Sequence, residues 1–168
     1  MKSPHVLALA GSSGSGKTTL AEKLVRGLVE RGRRVVYLKH DAHRFQMDKP
    51  GKDTWRAMEA GASAVAIASA EQWAWLARVE IPGVEELVRR ALRIADVCLI
   101  EGYHGSSYPK VLVVRRGIRT RPIFPSTTVV ATYGDRPRRR ADTPPVPHFG
   151  WDDTAALFDF LFPARTVR

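Results

Sequence analysis

At 168 residues, 44% of them hydrophobic, the chain has material for one compact domain with a real core and too little length for two. Its net charge of +10 invites a polyanionic partner, yet the arginines scatter over helix faces (Arg89, Arg90, Arg93), and the denser run Arg136, Arg138, Arg139, Arg140 lacks the interleaved aromatics of a base-stacking platform, which argues against nucleic acid. One cysteine excludes an internal disulfide, no segment is long and apolar enough to span a bilayer, and no signal-peptide pattern appears, so a cytoplasmic protein without a membrane role is expected.

The apolar run Val6, Leu7, Ala8, Leu9, Ala10 predicts a buried strand and leads straight into Gly11-Ser12-Ser13-Gly14-Ser15-Gly16-Lys17-Thr18. That octet meets the GxxxxGK[ST] pattern of the phosphate-binding P-loop at every required position. Glycine lets the backbone curl so tightly that successive N–H groups point at phosphate oxygens. Lys17 then reaches the β- and γ-phosphates, and the Thr18 hydroxyl ligates Mg²⁺. A nucleoside triphosphate is the expected ligand, held by Gly11, Ser13, Gly14, Ser15, Gly16, Lys17, Thr18 and Thr19. Leu20, Ala21, Leu24, Val25, Leu28 and Val29 recur at helical spacing until Gly32, which supplies the helix a P-loop requires.

Residues 34–39 read as a second strand and 40–52 as a long polar loop of the kind that carries function in α/β domains. Asp41, just past that strand, is placed to hold Mg²⁺ through water or to orient an attacking water. His40, His43 and Asp48 in the same loop also admit a zinc or nickel reading. The turn Pro50-Gly51 before Asp53 is either an anion contact beside Lys49 and Lys52 or an ordinary capped turn. Asp53 is expected to cap a short helix through Ala60, and 63–69 to form a small-residue strand packed closely under its neighbours. Trp73 and Trp75, two apart, share one strand face and suit core or dimer packing.

Pro82 and Gly83 open a helix whose stripe is Val84, Leu87, Val88, Ala91, Leu92 and Ala95. The buried run Val97, Cys98, Leu99, Ile100 then ends in Glu101, a hydrophobic strand plus acid like a Walker B segment. This assigns Glu101 to Mg²⁺; for both Glu101 and Asp41 the alternative is an acid capping a turn. Strands at 111–114 and 128–131 follow, joined by the basic, proline-containing connection 115–125, of which 115–121 reads either as a site for an anion or partner or as a solvated loop. Residues 137–147 look irregular, and 152–162 suit a terminal helix with capping carboxylates. The alternation predicts a single nucleotide-binding domain over 1–168. Its fold class is α/β, a P-loop NTPase fold with a mainly parallel sheet, helices on both faces and ligands at the carboxyl ends of the strands.

Several segments together resemble the MobB family, molybdopterin-guanine dinucleotide biosynthesis protein B. They are the P-loop with Thr18-Thr19, Lys39-His40-Asp41-Ala42-His43-Arg44-Phe45, Asp48-Lys49-Pro50-Gly51-Lys52-Asp53-Thr54, Ala60-Gly61-Ala62, Leu99-Ile100-Glu101-Gly102-Tyr103 and Pro109-Lys110. The resemblance implies a dimeric accessory protein that binds GTP, hydrolyses it weakly with Mg²⁺, and works with the MobA nucleotidyltransferase that attaches GMP to molybdopterin. It places Gly14, Gly16, Lys17 and Thr18 on phosphates and magnesium, with Asp41 and Glu101 near the metal. The chain holds no Asn-Lys-x-Asp guanine signature. Asp135, in Thr132-Tyr133-Gly134-Asp135, is the candidate acceptor for a guanine N1–H and N2–H₂ edge, and 115–121 a candidate contact for the pterin phosphate. The rival readings are a P-loop small-molecule kinase or ATP-dependent ligase, with its acceptor in 43–54, and a metallochaperone-type GTPase with His40 and His43 as ligands.

Overall fold

Uninterrupted apolar runs suit strands covered on both faces, which is how parallel sheets are built. The computed structural model of the chain, which describes residues 5–41, 45–80, 82–118, 126–137 and 145–163, bears this out. His43, residues 119–125, Arg138, Arg139 and Arg140 lie outside the described residues. In chain order the elements are β1 (Val6–Ala10), α1 (Lys17–Glu30), β2 (Val35–Lys39), α2 (Asp53–Glu59), β3 (Ala64–Ala68), β4 (Trp73–Ala77), α3 (Val84–Ile94), β5 (Val97–Glu101), β6 (Lys110–Val114), β7 (Val129–Gly134), β8 (His148–Phe149) and α4 (Thr154–Leu161). By its contacts the chain divides into two compact units, one made of residues 1–40 and 84–168, the other of residues 41–83.

The first unit carries a six-stranded, wholly parallel sheet in the order β2-β5-β1-β6-β7-β8. Alternation along β1 separates two cores. Leu7 and Leu9 join Leu20, Leu24 and Leu28 of α1 and Leu157 and Leu161 of α4, while Ala8 joins Val84, Val88 and Ala91 of α3 with Cys98 and Ile100. The α/β class with helices on both faces is thereby realised, and Leu92, expected in the α3 stripe, instead reaches solvent. Burial pushes the Cys98 thiol up to about 11, which keeps it protonated and unreactive. Among the described residues no helix is long and apolar enough to cross a membrane.

Local expectations shift in three places. α2 starts at Asp53 itself, with Lys52 at the cap position and no side-chain cap. Asp153 holds the turn before α4 by accepting the Gly150 N–H at 2.8 Å rather than capping the helix with its side chain. β8 is a two-residue strand beside β7, too short to announce itself by pattern.

The second unit corrects the reading of 63–69. β3 pairs with β4 alone, as an antiparallel hairpin. Only four residues separate the strands, Ser69 to Gln72, and a parallel pairing would need a crossover of a dozen or more. The Ser69 hydroxyl closes the turn, accepting the N–H groups of Glu71 and Gln72. Trp73 and Trp75 face Ala68 and Ala66 across the hairpin and stand 75% and 66% exposed, so they are not core residues of this unit.

Candidate functional site

β1 and β5 are neighbours with Leu9 registered on Glu101, so the loop leaving β1 and the acid ending β5 emerge at the same edge of the sheet. Gly11 turns the chain out of β1 at φ +142°. A Cβ there would lie 2.6 Å from the Val113 carbonyl oxygen and 2.8 Å from Ser15 Oγ, so only glycine lets the loop pass this close to β6. Ser13 and Gly14 form the exposed rim, Ser15 is fully buried, and its N–H donates to the Ser12 carbonyl at 3.2 Å. Among the described residues the buried Ser15 Oγ has no hydrogen-bond partner. α1 begins at Lys17, and its first turn, with Thr18 and Thr19, carries no acid. The unpaired N–H groups and positive dipole end of that turn favour an anion.

The Lys17 ammonium folds over the loop and donates to the Ser12 carbonyl at 2.9 Å. Burial lowers its pKa, Glu101 opposes the shift, and Lys39 adds to it. Glu101 extends the same sheet face as Leu99, which carries it towards α1. Its carboxylate accepts the Thr18 hydroxyl, at 3.0 Å to Oε2 and 3.3 Å to Oε1, and the Tyr37 hydroxyl at 2.6 Å. Burial first, and Glu101 second, hold the Tyr37 phenol far above its usual range, so it remains a donor. Thr18 and Glu101 offer hard oxygen donors. Magnesium takes one or two carboxylates plus phosphate and water oxygens, so this pair fits the ion without a cage of protein ligands. Among the described residues no group of three or more His, Cys, Asp or Glu side chains is placed to hold a metal.

Beyond Glu101, the ring of Tyr103 packs 4.4 Å from that of His40, and the His40 backbone N–H donates to the Glu101 carbonyl at 2.8 Å. His104 is held below the usual histidine range by burial, then by the nearby Lys17, His40 and Lys110. Lys110 is fully buried, and its ammonium binds the Ser106 carbonyl and hydroxyl and the Tyr108 carbonyl. It pins the connection from β5 to β6. Asp41 follows His40 in sequence and opens the second unit.

Asp135 follows β7, and its carboxylate is engaged on both oxygens, with the Arg116 N–H at 2.6 Å and the Trp151 indole N–H at 3.0 Å. The Arg116 bond, then that of Trp151, holds its pKa below the usual carboxylate range. Trp151 in turn lies against the loop, 3.3 Å from where a Cβ on Gly16 would be. The structure thus gathers residues 11–19 and Glu101, and sets Asp135 beside them through Trp151. Sequence reasoning missed Tyr37, His104 and Trp151. Tyr37 alone left a signal, because it registers with Leu99 on β5 and strand alternation puts it on the face that carries Glu101.

Residues 6–135 match the family described as molybdopterin guanine dinucleotide synthesis protein B. The chain is 42% identical over 120 residues to the molybdopterin-guanine dinucleotide biosynthesis adapter protein of Haemophilus influenzae, covering 70% of this chain and 67% of that one. It is 36% identical over 140 residues to the adapter protein of the same name from Escherichia coli, covering 79% of each. The crystal structure of Bacillus subtilis MobB superposes with a TM-score of 0.71 at 25% identity, covering 94% of this chain and 96% of the other.

Proposed function

The chain belongs to the MobB family, that of the molybdopterin-guanine dinucleotide biosynthesis adapter proteins, and from that premise we propose that it binds Mg²⁺-GTP at residues 11–19 and hydrolyses it slowly. In this reading it assists the MobA nucleotidyltransferase in attaching GMP to molybdopterin, in the cytoplasm. The observation that carries the reading is the meeting of Lys17, Thr18 and Glu101 at the ends of two adjacent parallel strands. Loop N–H groups take the phosphates, Lys17 neutralises the β- and γ-oxygens, and Thr18 and Glu101 hold the ion, with Tyr37 fixing the carboxylate. Magnesium, when bound there, would supply neutralisation of the phosphate charge. Asp41 is proposed to orient water, and Asp135 to accept the guanine edge with the lone pairs its two present bonds leave open.

Calorimetric titration with GTP and with ATP, each with Mg²⁺, tests the reading. GTP should bind at least about a hundredfold tighter, since a polar base site rejects a ligand that leaves it unpaired. Asp135→Asn should narrow that gap about tenfold, the worth of a hydrogen bond to a charged group. An ATP preference would turn the assignment towards the kinase or ligase class, and an unchanged gap in Asp135→Asn would remove Asp135 from the base site.

The hairpin supports a dimer. Trp73 and Trp75 share one face of a short two-stranded sheet and leave apolar surface open on it, and each buried tryptophan covers about 150–250 Å². Sedimentation should show a dimer for the wild type and a monomer for Trp73→Ser with Trp75→Ser. A wild-type monomer, or a variant still dimeric, would discard this surface.

A further inference from the structure

Resting on the nucleotide reading above, we infer that Arg115 is an arginine finger supplied by the chain itself, which leaves the Gly14 carbonyl to bind the γ-phosphate during hydrolysis. Its guanidinium Nη1 donates to that carbonyl at 3.3 Å, so the side chain already reaches the rim of the phosphate loop. The bond is a long, single one to a neutral acceptor on an exposed side chain. A γ-phosphate offers two or three charged oxygens that the planar fork of an arginine can take bidentately as an ion pair, where the carbonyl takes one bond and carries no charge. Ligand binding therefore draws the guanidinium from carbonyl to phosphate.

The backbone beneath Arg115 is built to hold this position. Arg115 directly follows β6, the strand beside β1, and opens a turn closed by the Ile118 N–H on the Arg115 carbonyl at 3.2 Å. Ile118 Cδ1 leans on the loop, 3.5 Å from where a Cβ on Gly14 would sit. Asp135 clamps the turn through the Arg116 N–H and is itself fixed by Trp151, which packs at Gly16. The turn is thus tied to the loop at Gly14 directly and at Gly16 through Asp135 and Trp151.

In the reaction, the oxygen of water forms a bond to the γ-phosphorus while the bond from that phosphorus to the β–γ bridging oxygen breaks. The electron pair of the broken bond stays on GDP. One water proton remains on the released phosphate and the other passes to solvent. Arg115 neutralises the charge that builds on the γ- and bridging oxygens, which is the work of an arginine finger and is worth about 10³-fold or more in rate.

The test compares wild type, Arg115→Lys and Arg115→Ala, each titrated with Mg²⁺-GDP in the absence and presence of aluminium fluoride, which mimics the transferring phosphoryl group, and then assayed for GTP turnover. Wild type should capture GDP with aluminium fluoride unaided by a partner. Both variants should bind Mg²⁺-GDP within about threefold of wild type, lose the fluoride-dependent tightening, and hydrolyse GTP about 10³-fold more slowly. Wild type that binds GDP without capturing aluminium fluoride, or Arg115→Ala that captures it as well as wild type, overturns the role of Arg115 and leaves the nucleotide site standing. Wild type that binds neither GDP nor GTP overturns both.

Discussion

Replacing Lys17 with alanine is expected to lower affinity for Mg²⁺-GTP by a hundredfold or more while the fold survives. The ammonium is partly buried, its pKa is already depressed by that burial and by Lys39, and it donates a hydrogen bond to the Ser12 carbonyl at 2.9 Å. A triphosphate therefore meets a cation whose hydrogen bond to a neutral carbonyl it can replace with a charged oxygen. Losing a charge-assisted contact, with the phosphate left facing a desolvated gap, costs about 3–5 kcal/mol, and every 1.4 kcal/mol is tenfold. The folded protein loses the hydrogen bond to the Ser12 carbonyl, about 1.5–3 kcal/mol. Calorimetry alongside thermal unfolding separates the two effects. Unaltered GTP affinity in Lys17→Ala would sink the nucleotide assignment, and a collapsed melting transition would show that Lys17 is structural instead.

Gly134→Ala should be the costliest single methyl group in the sheet. Gly134 ends β7 at φ +105°, and an added Cβ would overlap the Val114 carbonyl oxygen and come within 2.8 Å of Trp151. That carbonyl accepts the Asp135 N–H at 2.9 Å, so moving it shifts the residue that fastens both Trp151 and the Arg116 turn. Overpacking costs about 1–3 kcal/mol, and a left-handed φ on a residue with a Cβ about 1–2 more. At about 2–4 °C per kcal/mol for a chain of this size, the midpoint should fall by roughly 4–20 °C. Gly32→Ala is the control, with φ +69° and open space around its Cβ, and should lose only the conformational part. Equal losses in the two variants would mean that the contacts at Gly134 yield without cost.

The loop of residues 11–18 was legible because its pattern is local. Eight consecutive residues dictate a backbone curl, and the strand before it and helix after it follow from spacing over a few turns. The same short-range logic located the strand ending in Glu101 and the all-apolar runs, which need helices on both sides.

What needed the folded chain was every contact set by strand order. β5 lies between β2 and β1 although it comes last of the three, and that insertion brings Tyr37 to Glu101 across 64 residues and Thr18 to Glu101 across 83. The placement of β6 beside β1 likewise carries Arg115 to Gly14 across 101 residues. Periodicity states which face a side chain takes but not which strand will be its neighbour. For that reason the sequence by itself determined the fold class, the place of the glycine-rich loop between β1 and α1, and the acid at the end of β5. Tertiary structure alone decided that Tyr37 steadies that acid, that Asp135 and Trp151 brace the loop, and that the tryptophan hairpin stands exposed.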